Sequence, residues 1–107
     1  MLKVFQVKRG GTYSFIITFK DPETVIDTMT FGLKEDYDTR MLIEKTLDDG
    51  IILLEAGKYK VNFSVTDILS LEAGMYVYDL RYTVGDTPNI PLSGYVVVND
   101  SVFANNN

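Results

Sequence analysis

The sequence predicts an all-β domain, an immunoglobulin-like antiparallel β-sandwich of about seven or eight strands with a short helical crossover near residues 66–72. Three observations predict it. Tyr59, Val61, Phe63 and Val65 alternate with Lys58, Lys60, Asn62 and Ser64, and Tyr76, Tyr78, Leu80 and Tyr82 alternate with Val77, Asp79, Arg81 and Thr83; a period of two marks half-buried strands. Between these runs, Thr66 to Gly74 breaks the alternation and ends in Leu71-x-x-Gly74-x-Tyr76, the pattern of a chain passing from one sheet to the other. Turn signals recur at sandwich-like spacing elsewhere, and no other segment carries a helical period.

Leu2 to Val7 reads as the first strand, ended by Arg9-Gly10-Gly11. Thr12 to Lys20 reads as the second, with Tyr13, Phe15, Ile17 and Phe19 facing one way and Thr12, Ser14, Thr18 and Lys20 the other. Asp21-Pro22-Glu23 stops it, because proline removes a ladder donor and Asp-Pro favours a turn. A third strand carries Met29, Phe31 and Leu33 inward, and Glu35 to Asp38 is loop-like. Met41 to Leu47 holds the helix formers Leu42, Glu44 and Lys45, yet its length and the following Asp48-Asp49-Gly50 favour a strand running into a tight turn, with Ile43 inward. Ile51 to Leu54 is a short strand closed by Ala56-Gly57. Gly85 to Pro91 reads as a hairpin loop and Ser93 to Val98 as the last strand. Residues 1–100 then form one domain, and 101–107, ending Asn105-Asn106-Asn107, a frayed tail. Tyr76 is expected at the sandwich corner, ring in the core and hydroxyl on a nearby backbone group, with Gly74 letting the chain turn.

A chain of 107 residues is a one-domain length, enough to bury roughly 60–70% of its unfolded surface. Its net charge of −5, from 15 acidic and 10 basic residues without a Lys/Arg cluster, repels a phosphate backbone and argues against nucleic acid as partner. No charged and apolar leader opens the chain. Ile51 to Leu54, its longest apolar run, falls far short of the roughly 20 residues of a membrane span.

Histidine and cysteine are absent, which removes the Ser-His-Asp and Cys-His constellations, the usual zinc ligand sets and any disulfide. The glycines form neither phosphate-binding pattern, and Gly10-Gly11 is a turn. Asp36 and Asp38, with Glu35 adjacent, and the pair Asp48 and Asp49 offer oxygens to a calcium ion, but neither set has the spacing of a calcium loop and acidic residues are common in turns. Asn62-Phe63-Ser64 and Asn99-Asp100-Ser101 match the glycosylation pattern without a secretory context. No catalytic residue, cofactor site or metal site is assigned. Ile16, Val77, Val96 and Val98 lie opposite the apolar sets of their strands, and Ile52 and Leu54 add to this. Apolar residues on both faces call for cover, by a loop, an edge strand or a partner.

The order of motifs carries a resemblance. Gly10-Gly11-Thr12-Tyr13-Ser14-Phe15-Ile16-Ile17-Thr18-Phe19 is followed by Val25-Ile26-Asp27, Thr30-Phe31-Gly32-Leu33-Lys34 and Ile43-Glu44-Lys45-Thr46. The chain closes with Thr66-Asp67, Leu71-x-x-Gly74-x-Tyr76-x-Tyr78-Asp79-Leu80 and Leu92-Ser93-Gly94-x-x-Val97-Val98. From residue 2 to 99 this resembles the N-terminal domain of siphophage baseplate upper proteins and related small phage tail domains. The resemblance implies a virion structural protein of a phage or prophage tail, assembling by protein–protein contacts with other tail proteins or as a homo-oligomer, without catalysis. Family members usually continue into further connecting structure, whereas this sequence ends at Asn107. The alternative is a carbohydrate- or surface-binding sandwich of a bacterial protein, holding its ligand through Tyr37, Tyr78 or the Gly85–Pro91 loop, since aromatic rings pack on sugar faces and sandwich loops recognise ligands.

Overall fold

Alternating strands with one apolar face must fold over that face, and here they do so by bending a single sheet. The computed structural model describes residues 2–21 and 23–103, so Pro22 and the Asn105–Asn107 tail lie outside the described residues. The elements are β1 (Leu2–Lys8), β2 (Tyr13–Thr18), β3 (Thr28–Lys34), β4 (Met41–Leu47), β5 (Gly50–Glu55), β6 (Lys58–Phe63), α1 (Val65–Leu69), β7 (Gly74–Val84) and β8 (Thr87–Asn99). Their hydrogen-bonded order is β1-β8-β7-β3-β4-β5-β6-β2. The sandwich therefore consists of a five-stranded layer, β1-β8-β7-β3-β4, joined to a three-stranded layer, β5-β6-β2, by a corner at β4–β5.

That corner corrects the expectation of two separate antiparallel sheets. Only two residue pairs link β4 to β5, Thr46 with Gly50 and Leu47 with Ile51, and they run parallel. Asp48 at φ 67° and Gly50 at φ 100° turn the chain between them. Lys45 crosses directly over Gly50, where a Cβ would collide with its stem. The ladders are otherwise antiparallel, except that β1 pairs parallel with β8 from Leu2–Ser93 to Lys8–Asn99. β1 thus joins the layer opposite β2, and Phe5 stacks on Phe15 with ring centroids 4.8 Å apart across the seam between them.

The alternation called the core correctly. Ile17, Met29, Phe31, Leu33, Ile43, Val61, Phe63, Tyr76, Tyr78 and Leu80 are buried, and Tyr13, Phe15 and Phe19 pack against them half-buried. Phe15, Phe31, Phe63 and Tyr78 form a connected aromatic cluster at one end, and Phe19, Tyr59 and Tyr82 a second at the other. Below the crossover, Ile68 and Leu71 complete the core.

β8 departs most from expectation. Val96 and Val98 are core residues, with Tyr95 and Val97 on the outer side; the run Tyr95-Val96-Val97-Val98 is apolar at both parities, so periodicity does not reveal which set points in. The strand also begins at Thr87, and only Gly85-Asp86 turns, whereas the expected loop ran to Pro91. Two prolines fit here because β1 pairs with β8 only from Ser93 onward. Residues 87–91 form an edge, where a missing backbone donor is tolerated.

Candidate interaction surfaces

The crossover is fastened at both ends. At its start, Ser64 Oγ accepts from the Asp67 backbone N–H at 3.1 Å, and the Asp67 carboxylate accepts from the Ser64 N–H at 2.8 Å, a reciprocal cap. Lys45 Nζ donates to the same Asp67 oxygen at 2.8 Å, tying β4 to α1. Burial works to raise the Asp67 carboxyl, but Lys45 and the two Ser64 donors outweigh it and hold the group below its usual 3.8. At the other end, the Tyr76 hydroxyl donates to the Glu72 carbonyl at 2.7 Å, the expected corner. Burial pushes this phenol above its ordinary value. The neighbouring Gly74 sits at φ 155° with open space around it.

The acidic residues do not converge. The Asp36 carboxylate accepts from the Tyr37 N–H at 2.7 Å, and Thr39 closes the same turn by accepting from Asp36 N–H at 3.0 Å. Asp48 and Asp49 make the β4–β5 corner, with backbone bonds from Thr46 to Asp49 and from Asp48 to Ile51. Among the described residues, no group of three or more acidic side chains comes together as a metal site would need. Tyr78 is not a ligand residue: at 1% exposure it belongs to the core. Burial, with Asp79 nearby, raises its phenol, and its hydroxyl has no partner among the described residues. Asn62 stands half-buried on β6 opposite Ser14, and Asn99 ends β8.

Two surfaces remain. On the outer side of the five-stranded layer, register aligns Val4, Tyr95, Val77, Lys34 and Met41 in one row across all five strands. The next row brings Gln6, Val97 and Met75 together. Val77 is buried under its neighbours, but Val4 at 57% and Met75 at 60% exposure are open, and Tyr37 and Met41 stand exposed at the far end. The row on the other side is polar: Ser93, whose hydroxyl bonds Asp79, then Gly32 and Glu44. Met41 folds over Gly32, where a Cβ would come within 2.8 Å of its sulfur. The depression between Tyr37, Met41 and Val77 measures about 160 Å³, below the roughly 300 Å³ at which small-molecule sites begin. Five strands at about 4.8 Å spacing and six residues of about 3.3 Å give a whole face of roughly 475 Å², of which the apolar rows are a part.

The second surface is β5. Beyond the corner, Ile52 to Glu55 pairs with β6 on one side and with no described strand on the other. Of the residues expected on outward faces, Val77 lies on the first surface, Ile52 and Leu54 on β5, and Ile16 on β2 opposite Lys60, whereas Val96 and Val98 belong to the core. Val4 and Tyr95, which share a row, and Met75 in the next one are not legible in the sequence, because these rows depend on strand order. A third feature, an apolar cavity of about 110 Å³ at the β1–β2 seam, is lined by Phe5, Phe15, Phe31, Ile43, Ile68 and other core side chains.

No protein-family model and no curated protein sequence matches the chain. Solved structures do share its shape. The chain resembles part of an endo-β-1,4-mannanase from Thermotoga petrophila at TM-score 0.61 and 13% identity, covering 91% of this chain and 18% of the mannanase. It also resembles the immunoglobulin-like domain of mouse leukocyte-associated immunoglobulin-like receptor 1, solved as a strand-swapped dimer, at TM-score 0.55 and 9% identity, covering 89% and 86% of the two chains. A putative glycoside hydrolase from Bacteroides vulgatus matches at TM-score 0.52 and 14% identity, over 91% of this chain and 16% of its own. The fold is an immunoglobulin-like β-sandwich. At these identities the likeness is one of fold.

Proposed function

We propose that this chain is a non-enzymatic interaction domain of a phage or prophage tail, docking onto another tail protein through the outer face of its five-stranded layer. The observation that carries the reading is the Val4–Tyr95–Val77 row with Met75 and Val97 beside it, an apolar stretch across β1, β8 and β7 that Lys34 separates from Met41 and that Asp79 and Glu44 flank. The whole-length sequence resemblance to baseplate upper proteins supports the tail assignment, and the absence of histidine and cysteine from the sequence supports a role without catalysis.

Co-expression with the proteins encoded beside it tests this. A stable complex with a tail protein is expected, lost in Val4→Glu/Met75→Glu while the melting temperature stays unchanged. A complex that survives both charges would overturn the face, and neighbours that are all metabolic enzymes would overturn the tail. The carbohydrate-binding alternative keeps one supporting feature, exposed Tyr37 beside the Gly32 depression. Binding on a glycan array, lost in Tyr37→Ala, would replace the tail reading with that one.

A further inference from the structure

We infer that the cavity at the β1–β2 seam is a binding site for a small neutral aromatic molecule of benzene or toluene size. β1 and β2 stand at the two ends of the strand order and share no ladder with each other, so the sandwich is open along this seam. Behind it lies the cavity of about 110 Å³. Phe5, Phe15, Phe31 and Phe63 supply the aromatic part of its wall. Ile43 of β4, Ile68 of α1 and Val96 of β8 extend the wall inward to the crossover.

Size and chemistry select the occupant. Sugars and drug-sized ligands need roughly 300 Å³ or more, which this space does not offer. An apolar cavity on the order of 150 Å³ takes up benzene or xenon, and this one is of that scale. Its rings already meet edge to face, Phe15 with Phe31 at 5.7 Å and Phe31 with Phe63 at 5.2 Å. A flat ring among them finds the same faces and edges. Among the described residues no charged side chain lines the cavity, so a carboxylate or ammonium would lose its water without gaining a partner. The polar lining residues, Gln6, Tyr13 and Ser14, all belong to the two seam strands. Gln6 and Ser14 are exposed, and the Tyr13 hydroxyl accepts from the Lys8 N–H at 2.9 Å. A water needs about two to four polar partners, which the inner wall does not supply. Entry between β1 and β2 breaks no ladder. The cavity lies inside the sandwich, and the Val4–Tyr95–Val77 row lies on the outer face, so the inference stands or falls independently of the docking reading.

A methyl-resolved NMR titration of the native chain with toluene, up to its aqueous solubility, tests the site. The methyls of Ile43, Ile68 and Val96 should shift saturably, while those of Ile52 and Leu54, which are exposed and distant from the cavity lining, stay in place. The melting temperature should rise with toluene concentration, because a ligand of the folded state stabilises it by mass action. Benzoate, similar in shape but charged, should do neither. Val7 is a buried lining residue of β1, and Val7→Phe should fill the space and weaken toluene binding at least tenfold. Ile68→Phe should do the same from the crossover side. The native-chain titration decides the matter without requiring either variant to fold. Shifts that do not saturate, that appear equally at Ile52 and Leu54, or that benzoate reproduces would overturn the site. A folded Val7→Phe or Ile68→Phe chain that binds toluene with unchanged affinity would overturn it too.

Discussion

Two stretches of free edge in this sheet are built in opposite ways. Residues Thr87 to Pro91 of β8 lie beyond the reach of β1, and there the chain carries Pro88, Asn89 and Pro91. Each proline removes a backbone donor, so an incoming strand meets a broken ladder. On β5, by contrast, Ile52-Leu53-Leu54 keeps every donor and exposes every side chain. Both edges arise because a neighbouring strand stops short: β1 begins at Leu2, opposite Ser93, and β4 leaves β5 after Ile51. Proline breaks the ladder on β8, whereas β5 carries apolar side chains and a register shift between Leu53 and Glu55.

The largest expected effect comes from moving the corner that presents β5. Gly50→Ala places a Cβ against Lys45 at φ 100°, and such backbone strain costs about 1–3 kcal/mol. A denaturant melt should show that loss. Next is conversion of the open edge into a guarded one. An exposed apolar strand edge is a template for another strand, so Leu53→Lys should weaken self-association at least tenfold in sedimentation equilibrium with the melting temperature unchanged. The reverse experiment, Pro88→Val with Pro91→Val, should give the β8 edge a new tendency to associate; if it does not, proline is not what guards that edge.

Smaller effects separate the closed part of the fold from both edges. Tyr76→Phe removes the bond to the Glu72 carbonyl and should lower stability by about 0.5–1.5 kcal/mol, with no change in association at either edge. A loss of association without a loss of stability would make Tyr76 part of a site. Gly74→Val should be destabilising through its backbone conformation alone, since the space around it is open.

The smallest effect is a pH dependence at the crossover. Folding lowers the Asp67 pKa from 3.8, so its contribution to stability is present above about pH 4 and is lost as pH falls through the lowered native value. The melting-temperature difference between the native chain and Lys45→Met should therefore narrow between pH 6 and pH 2.5. A difference that stays constant would mean the Lys45–Asp67 pair contributes through packing and not charge.

How much of this was legible follows from what each residue depends on. Phe31, Val61, Phe63, Tyr78 and Leu80 declare themselves by strict alternation, because each faces a core on one side and water on the other. Tyr76 is legible through its spacing from Leu71 and Gly74, and its hydroxyl partner lies only four residues away. The Ser64–Asp67 cap is legible in the Ser-x-x-Asp spacing. Lys45 was not readable: its partner Asp67 is 22 residues distant, and a lysine in a strand carries no sign of which face it takes. Val96 and Val98 were misplaced because Val97 is apolar too, half-buried beside Met75. The candidate face is hidden for a related reason. Val4, Tyr95, Val77 and Met41 are scattered over more than ninety residues and become one row only once β1 is known to pair with β8.

Amide hydrogen exchange at two protein concentrations tests the contrast between the edges most directly. At micromolar protein, Ile52–Leu54 and Asn89–Ile90 should both exchange fast at the amides that face away from their single partner strand. At a hundredfold higher concentration, protection should rise over Ile52–Leu54 and stay unchanged at Asn89–Ile90. Protection over Ile52–Leu54 that does not depend on concentration would contradict the account, and protection appearing instead at Asn89–Ile90 would reverse it.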